Sequence, residues 1–267
     1  MTTAAATARL PRTLSLSPGA QRLALRIGAG IVLLLLWEGI VTWFAASFVA
    51  RPSGVIKALP HVLGDRHFWM YTRDTLLAVL EGLAIGVVTG TLVGLAMGRL
   101  RDVESLLKFY VNAFFALPTI AVLPLMTLWF QYSGKARLAI VILGAFLPVA
   151  LNVYDGVRKV PTAYIEVAKT YRARWWNVWF GIALPSALPY LLAGLRLAAG
   201  RALVAAVVAE YLLGNIGGLG YFIVFNSRSF HQNDATVGVL MLTLIGVGLN
   251  FGLDAATRRF LPWYRRS

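Results

Sequence analysis

The chain has 267 residues, of which 58% are apolar and 13% charged, and its mean hydropathy is +0.71. A soluble domain of this length needs more polar surface than this composition supplies, so we expect an all-α, polytopic membrane protein. The absence of cysteine excludes disulfides, thiol catalysis and thiolate metal sites. The net charge of +14 fits cationic loops at an anionic inner leaflet, and we predict lipid rather than nucleic acid as the contact.

Residues 1–22 are rich in Ala, Thr, Ser and Arg, which predicts a flexible cytoplasmic tail. Crossing a bilayer as a helix takes about 20 apolar residues. Six segments are predicted to do so, and the third should be kinked by Pro118 and Pro124. Together they form one transmembrane domain over 23–256, followed by a second cytoplasmic tail at 257–267. The predicted spans are 23–49, 75–98, 106–131, 137–156, 187–213 and 236–256.

The placement of lysine and arginine predicts the orientation. If the N-terminus is cytoplasmic, sixteen of the 25 basic residues fall in inner segments and seven in outer segments. The other two are Arg196 and Arg201, within the fifth predicted span. Basic residues accumulate on the cytoplasmic side, so we expect both termini and residues 157–186 to face the cytoplasm.

Glycine recurs at every fourth position of the second predicted span. Four residues turn a helix by about 400°, so these glycines form one slowly drifting ridge that another helix can approach closely. Two interpretations stay open: a sliding or dimerising surface, or static packing inside the bundle. The glycines are Gly82, Gly86, Gly90, Gly94 and Gly98.

The segment 157–186 is polar and basic, although it lies between two long apolar segments. Thr162 is a candidate N-cap for a short helix, 163–170. Four tryptophan and phenylalanine residues then follow at helical spacing among arginines, which predicts a helix lying flat at the membrane boundary. Leu184-Pro185 should end that helix and begin the fifth span.

This segment carries the EAA motif, which is typical of permeases in binding-protein-dependent ABC importers. The motif reads Glu-Ala-Ala, three residues, Gly, nine residues, Ile, one residue and Leu-Pro, and the chain matches these offsets without a gap. The resemblance extends over residues 70–225 and is closest to the nitrate/sulfonate/taurine/bicarbonate branch. It assigns ATPase-subunit coupling to Glu166, Val167, Ala168, Lys169, Thr170, Arg172, Ile182, Leu184 and Pro185.

The chain departs from the motif at Val167, which replaces the first Ala, and at Arg172, which replaces the Gly. In the family this Gly permits a sharp turn between two short helices. A non-glycine residue in the left-handed region costs roughly 1 kcal/mol or more. Either the turn differs here, or Arg172 is tolerated in it and contacts the partner.

The resemblance implies a type I ABC importer permease in the bacterial inner membrane. Its partners would be two copies of an ATP-binding subunit, a second permease copy and a periplasmic solute-binding protein. The chain should bind no cofactor itself, since Ser133-Gly134-Lys135-Ala136 lacks the features of an ATP-binding loop and ATP with magnesium is used by the partner. We therefore predict no enzymatic activity for the chain alone.

Charged residues inside spans often mark a solute pathway, and we name Arg196, Arg201 and Glu210 as candidates. The two arginines are five residues apart, too far round for one simple helical stripe. The cargo is expected to be a small anion such as nitrate, a sulfonate, taurine or bicarbonate, although related permeases for pyrimidine precursors leave its charge open. An ion-coupled secondary transporter or channel is the alternative function, and a membrane-embedded enzyme would need a convergent polar site.

The remaining cluster of metal-ligating residue types lies at His61, Asp65 and His67. Its spacing and its neighbouring aromatic residues favour an interfacial loop, so we predict no metal site.

Overall fold

A computed structural model of the protein describes residues 18–44, 48–214 and 216–260, and every regular element among them is helical. The predicted all-α fold is confirmed. A π-helical turn at Trp179–Ala183 joins the eighth and ninth helices. The helices are α1 Pro18–Phe44, α2 Pro52–Gly64, α3 Arg66–Arg99, α4 Arg101–Ala116, α5 Thr119–Phe130, α6 Gly134–Arg158, α7 Thr162–Thr170, α8 Trp175–Val178, α9 Leu184–Leu213, α10 Leu219–Arg228 and α11 Gln232–Phe260.

The two predicted tails fall largely outside this description. Residues 1–17 and 261–267 lie outside the described residues. The remaining five residues of the N-terminal tail are helical, because α1 begins at Pro18, and α11 continues to Phe260.

Among the described residues, five helices are long and apolar enough to cross a membrane, and α4 with α5 forms a bent pair that gives a sixth candidate span. The expected kink in the third span is present at Pro118, where the two helices meet at 106°. Leu117 is extended, with φ −70° and ψ 134°, because a following proline disfavours the helical conformation. Pro124, in contrast, lies inside α5 without ending it. Leu117 and Pro118 are called the elbow below.

Two helices occupy segments that were expected to be loops. Both α2 and α10 bury apolar side chains against α11 in a small separate core that includes Val55, Phe68 and Phe222. His61 lies in α2 with Nε2 3.1 Å from Oδ1 of Asp234, so it is helical rather than part of a loop.

Asp65 caps the N-terminus of α3 by accepting a hydrogen bond from the His67 backbone amide at 2.9 Å. That bond, with a weaker one from the His67 ring, holds the pKa of the Asp65 carboxyl below its usual value. No three metal-binding side chains converge anywhere in the described part of the chain.

The main core is formed by three long helices: α6 packs extensively against both α3 and α9, and α3 and α9 also contact each other. All five ridge glycines of α3 face α6. A Cβ atom on Gly90 would lie 2.7 Å from the Phe146 carbonyl oxygen, and one on Gly86 would lie 2.6 Å from the Ala145 Cβ. The ridge is therefore filled by α6 of the same chain. The ninth helix meets a neighbouring face of α6 through Gly194 and presents to the core a row of buried alanines, namely Ala198, Ala202, Ala205, Ala206 and Ala209.

The first helix stands apart from this core and exposes nearly all of its side chains. It is tied to α2 by Glu38, whose carboxylate accepts hydrogen bonds from the Ser53 backbone amide at 2.9 Å and from the Ser53 hydroxyl at 2.7 Å. Glu38 is therefore a cap for the start of α2, where unpaired backbone amides favour a negative charge.

Replacing Gly90 by Ala should destabilise the bundle by about 1–3 kcal/mol, because the added methyl meets the backbone of α6, which cannot rotate away. Gly248→Ala is the matched control, since a Cβ there meets nothing within 4 Å. The two variants are heated in detergent, and the fraction of protein that stays monodisperse is measured at each temperature. The difference between their unfolding midpoints reports the difference in stability. Equal midpoints for the two variants would contradict this packing.

Candidate functional site

The segment between α6 and α9, residues 159–183, is called the coupling loop below. It presents a broad exposed apolar surface around α7, with Tyr164, Val167 and Tyr171 at 60%, 55% and 82% exposure. Glu166 lies on the same short helix, is exposed, and pairs with no described side chain. Ala168 faces the opposite way and is buried. A short helix that exposes both a carboxylate and several large apolar side chains is typical of a protein-protein contact.

The turn after α7 explains the arginine that replaces the motif glycine. Arg172 has φ 50°, in the left-handed region. The Ala173 amide donates to the Ala168 carbonyl at 2.8 Å, which is the long hydrogen bond of a Schellman cap with Arg172 at its left-handed position. The turn is therefore retained. Arg172 bears a conformational cost of roughly 1 kcal/mol that glycine would not, and its side chain is exposed.

After this turn a new helix begins at Trp175, and it continues through Pro185 and Pro189. The prediction that Leu184-Pro185 ends one helix and begins another is wrong, because residues 175–213 form one continuous helical rod. The π-helical turn makes this possible. The Leu184 amide donates to the Trp179 carbonyl five residues back, which shifts the bonding pattern just before Pro185, a residue with no amide proton to donate.

The motif residues at the far end of the coupling loop attach this rod to the bundle. Leu184 and Trp179 pack against the main core, and Ile182 is half-buried, whereas Pro185 is exposed. Arg174 lies at the start of α8 with its guanidinium 3.7 Å above the Trp176 ring. Of the other two motif residues, Thr170 donates from its hydroxyl to the Glu166 carbonyl at 3.0 Å, and the backbone of Lys169 is helical.

A polar cluster, missed by the sequence reasoning, joins α4 to the end of α6. The Glu104 carboxylate accepts hydrogen bonds from the Tyr154 hydroxyl and from Arg158 Nη1, both at 2.6 Å, and lies 3.5 Å from Lys108 Nζ. Arg158 is the last residue of α6 before the coupling loop. No local signal identifies these partners, since Glu104 is 50 residues or more from Tyr154 and Arg158 in the chain.

Arg196 and Arg201 line the same groove, of about 600 Å³, between α9 and the elbow. The two arginines are five residues apart on α9 and do not share one stripe, yet both border this groove. The Arg196 Nη2 atom is 2.6 Å from Asp254 Oδ1 on α11. The Arg201 guanidinium instead stacks 4.0 Å above the ring of Phe115 on α4.

Glu210 has no exposed surface, and its contacts lie within the chain. Its carboxylate accepts hydrogen bonds from the Thr75 hydroxyl at 2.9 Å, from Arg137 Nη1 at 3.0 Å and from the Gly220 amide at 2.9 Å. The last bond caps the start of α10. The structure therefore places Glu210 as a packing and capping residue, and does not support its expected place on a solute pathway.

The comparisons with known proteins agree with this geometry. The family described as the binding-protein-dependent transport system inner membrane component matches residues 82–266, a range that includes both the coupling loop and the groove. The taurine transport system permease protein TauC of Escherichia coli is 31% identical over 92% of both chains. The bicarbonate transport system permease protein CmpB of Synechococcus elongatus is 28% identical over 76% of this chain and 70% of its own.

A solved structure of the inward-facing MetNI methionine ABC transporter shares the fold, with a TM-score of 0.57, 20% identity and coverage of 74% of this chain and 95% of that one. The similarity to the nitrate/sulfonate/taurine/bicarbonate branch and to the type I permease bundle is confirmed. The chain belongs to the family of binding-protein-dependent transport system inner membrane components, and it is a multi-pass ABC importer permease rather than an enzyme.

Proposed function

We propose that the chain forms the translocation pathway for a small anion, that a separate ATP-binding subunit docks on its coupling loop, and that an extracytoplasmic binding protein delivers the cargo. The observation that carries the docking proposal is the exposed surface of α7. An importer permease needs a contact for its ATP-binding subunit, and among the described residues α7 exposes a carboxylate together with large apolar side chains.

In this proposal Glu166 makes the polar contact with the ATP-binding subunit, while Val167 and Tyr171 supply apolar area. The turn at Arg172 sets the angle between α7 and the rod of residues 175–213. Lys169 and Thr170 complete the docking helix. Ile182, Leu184 and Pro185 anchor the far end, two of them by partial burial.

The structure offers two mechanical routes from the coupling loop to the groove. The first is the continuous rod, which carries Arg201 on one wall of the groove. The second runs from the end of α6 through Arg158 and Glu104 to α4, which carries Phe115 on the other wall. A displacement of α7 would thus shift both walls, which is what a transition between inward and outward access requires.

A homodimer with both termini cytoplasmic is the simplest assembly. ATP-binding subunits of importers act as a pair, so two docking loops are needed, and one chain supplies one. The exposed lengths of α1 and α4 leave area for a second copy and for lipid. The groove arginines and the taurine and bicarbonate relatives support an anionic cargo.

An ion-coupled carrier remains the competing function, but no observation favours it. Such a carrier binds its coupling ion through an acidic residue at the pathway. Among the described residues Glu210 is the one fully buried carboxylate, and it is already engaged by Thr75, Arg137 and Gly220.

Glu166→Lys should reduce the amount of ATP-binding subunit that co-purifies with the permease by about ten-fold or more, because it reverses the charge at the proposed contact. Membrane insertion should be unchanged, since the side chain is exposed. Asp102→Lys is the control, as the same reversal at an exposed acid outside the coupling loop. If Glu166→Lys retains the subunit and transports as the native protein does, Glu166 is not the contact.

Arg172→Gly should keep the turn and raise stability by about 1 kcal/mol, because glycine adopts positive φ without strain. Arg172→Ala keeps the strained left-handed conformation and removes the guanidinium. Comparison with Arg172→Gly therefore separates the conformational cost of the turn from the contribution of the side chain to docking. Unfolding midpoints report the strain, and co-purification of the ATP-binding subunit reports the side chain. A lower midpoint for the glycine variant than for the alanine variant would contradict the left-handed turn.

The orientation is testable directly, because the chain has no cysteine of its own. A single Tyr171→Cys should react with a membrane-impermeant maleimide only in inside-out vesicles, and the ATP-binding subunit should protect it. A single Phe230→Cys, exposed between α10 and α11, should react only from the outside. The reverse pattern would place the coupling loop on the wrong side for docking.

A further inference from the structure

We propose that Arg201 is the cargo ligand within the groove, and that the site takes a single oxyanion group carrying one negative charge, such as sulfonate, nitrate or bicarbonate. This inference rests on the proposed function, since it assigns a chemical class and a binding residue to the same pathway.

The charges around the groove distinguish the two arginines. Arg196 pairs with Asp254 at 2.6 Å, so that pair contributes no net charge. Arg201 has no carboxylate within ion-pair distance among the described side chains, and its recorded partner is the ring of Phe115. The groove thus carries one uncompensated positive charge, which matches a monoanion and leaves a dianion undercompensated.

The stacking fixes how the guanidinium is presented. The Arg201 guanidinium carbon lies 4.0 Å from the centroid of the Phe115 ring, and a guanidinium stacked face-on at such a distance would keep its N–H edge for other partners. That edge holds paired donors whose spacing matches two oxygens of a planar or tetrahedral oxyanion. Arg201 is half-buried, so the arrangement is held in place while part of it still reaches the groove.

The rest of the wall is mostly apolar and strengthens such a contact. Leu117, Leu197 and Val204 border the groove and expose apolar surface to it. A charge pair in surroundings of low polarity attracts more strongly than the same pair in water. The apolar wall would also suit the short carbon chain of an organic sulfonate.

The elbow makes this site sensitive to conformation. Phe115 lies two residues before Leu117, at the end of α4, whereas Arg201 lies on the rod that begins in the coupling loop. Relative movement of the two helices changes the stack, and so changes the affinity for the anion. A transporter needs this differential affinity to release its cargo after the switch.

The test uses a single Val204→Cys in the otherwise cysteine-free chain, purified in nanodiscs with its ATP-binding subunit. Val204 is 63% exposed, lies in the groove and is three residues beyond Arg201. Two thiol reagents of similar size are compared: anionic 2-sulfonatoethyl methanethiosulfonate and cationic 2-(trimethylammonio)ethyl methanethiosulfonate. The ratio of their rates is the readout, because a nearby arginine also lowers the thiol pKa and thereby speeds both reactions.

The anionic reagent should be favoured, and Arg201→Gln should lower the rate ratio by about ten-fold, since one charge near the thiol is removed. Arg228→Gln, outside the groove, is the matched control and should leave the ratio unchanged. Arg201→Lys should keep most of the preference. Methanesulfonate or nitrate at millimolar concentration should slow the reaction of Val204→Cys with either reagent, and this protection should be lost in Arg201→Gln and weakened in Phe115→Leu.

A rate ratio that does not change in Arg201→Gln, or a Val204→Cys that neither reagent modifies, would overturn the assignment. Co-purification of the ATP-binding subunit is measured on the same samples. If the rate ratio is unchanged in Arg201→Gln while the ATP-binding subunit still co-purifies, the anion site alone is refuted. If the ATP-binding subunit does not co-purify with the parent Val204→Cys protein, the proposed function is refuted.

Discussion

The close approach of α3 and α9 to neighbouring faces of α6 is the contact on which the rest of the structure depends. Lipid chains are as apolar as leucine, so helices in a membrane gain little from burying apolar side chains and associate mainly by close packing. The glycine ridge and the alanine row give α6 two faces that backbones can touch. The sixth helix ends at Arg158, so this packing also fixes where the coupling loop leaves the bundle.

The elements around this core differ in how firmly they are held. The rod of residues 175–213 belongs to the core along most of its length, and it links the coupling loop to the groove without an interruption in the helix. The α4 helix buries little and depends on the Glu104 cluster for its polar attachment. The elbow thus lies between a firmly packed wall and a more weakly attached one, which is a suitable place for movement.

Local patterns in the sequence predicted much of this arrangement. The apolar segments and the four-residue glycine period identify the spans and one packed face, because both are properties of a single helix. The motif identifies the coupling loop, since its residues lie within 20 positions of one another. The sequence alone does not determine the turn at Arg172. A residue type gives only a preference for a backbone conformation, and the surrounding hydrogen bonds determine which conformation forms.

The contacts between distant segments had no such local signal. Glu210 meets Thr75 across 135 residues and Arg137 across 73, and nothing near any of them in the chain indicates the pairing. An acidic residue in a span suggested a solute pathway, whereas the structure uses it to cap α10. The proline at 185 suggested a break, but the preceding π-helical turn shifts the hydrogen-bonding pattern and lets the helix continue through it.

That π-helical turn also sets a rotational phase between α7, which precedes the rod, and the groove side chains further along the rod. Each residue advances an α-helix by about 100°, so the docking side chains upstream of Trp179 and the groove side chains downstream of Leu184 hold their relative directions only at this exact length. Loss or gain of one residue between them would turn the proposed docking surface by about 100° relative to the groove while leaving both ends correctly folded. The length of this short stretch is therefore constrained by geometry, whereas the identities of its side chains are not constrained in this way.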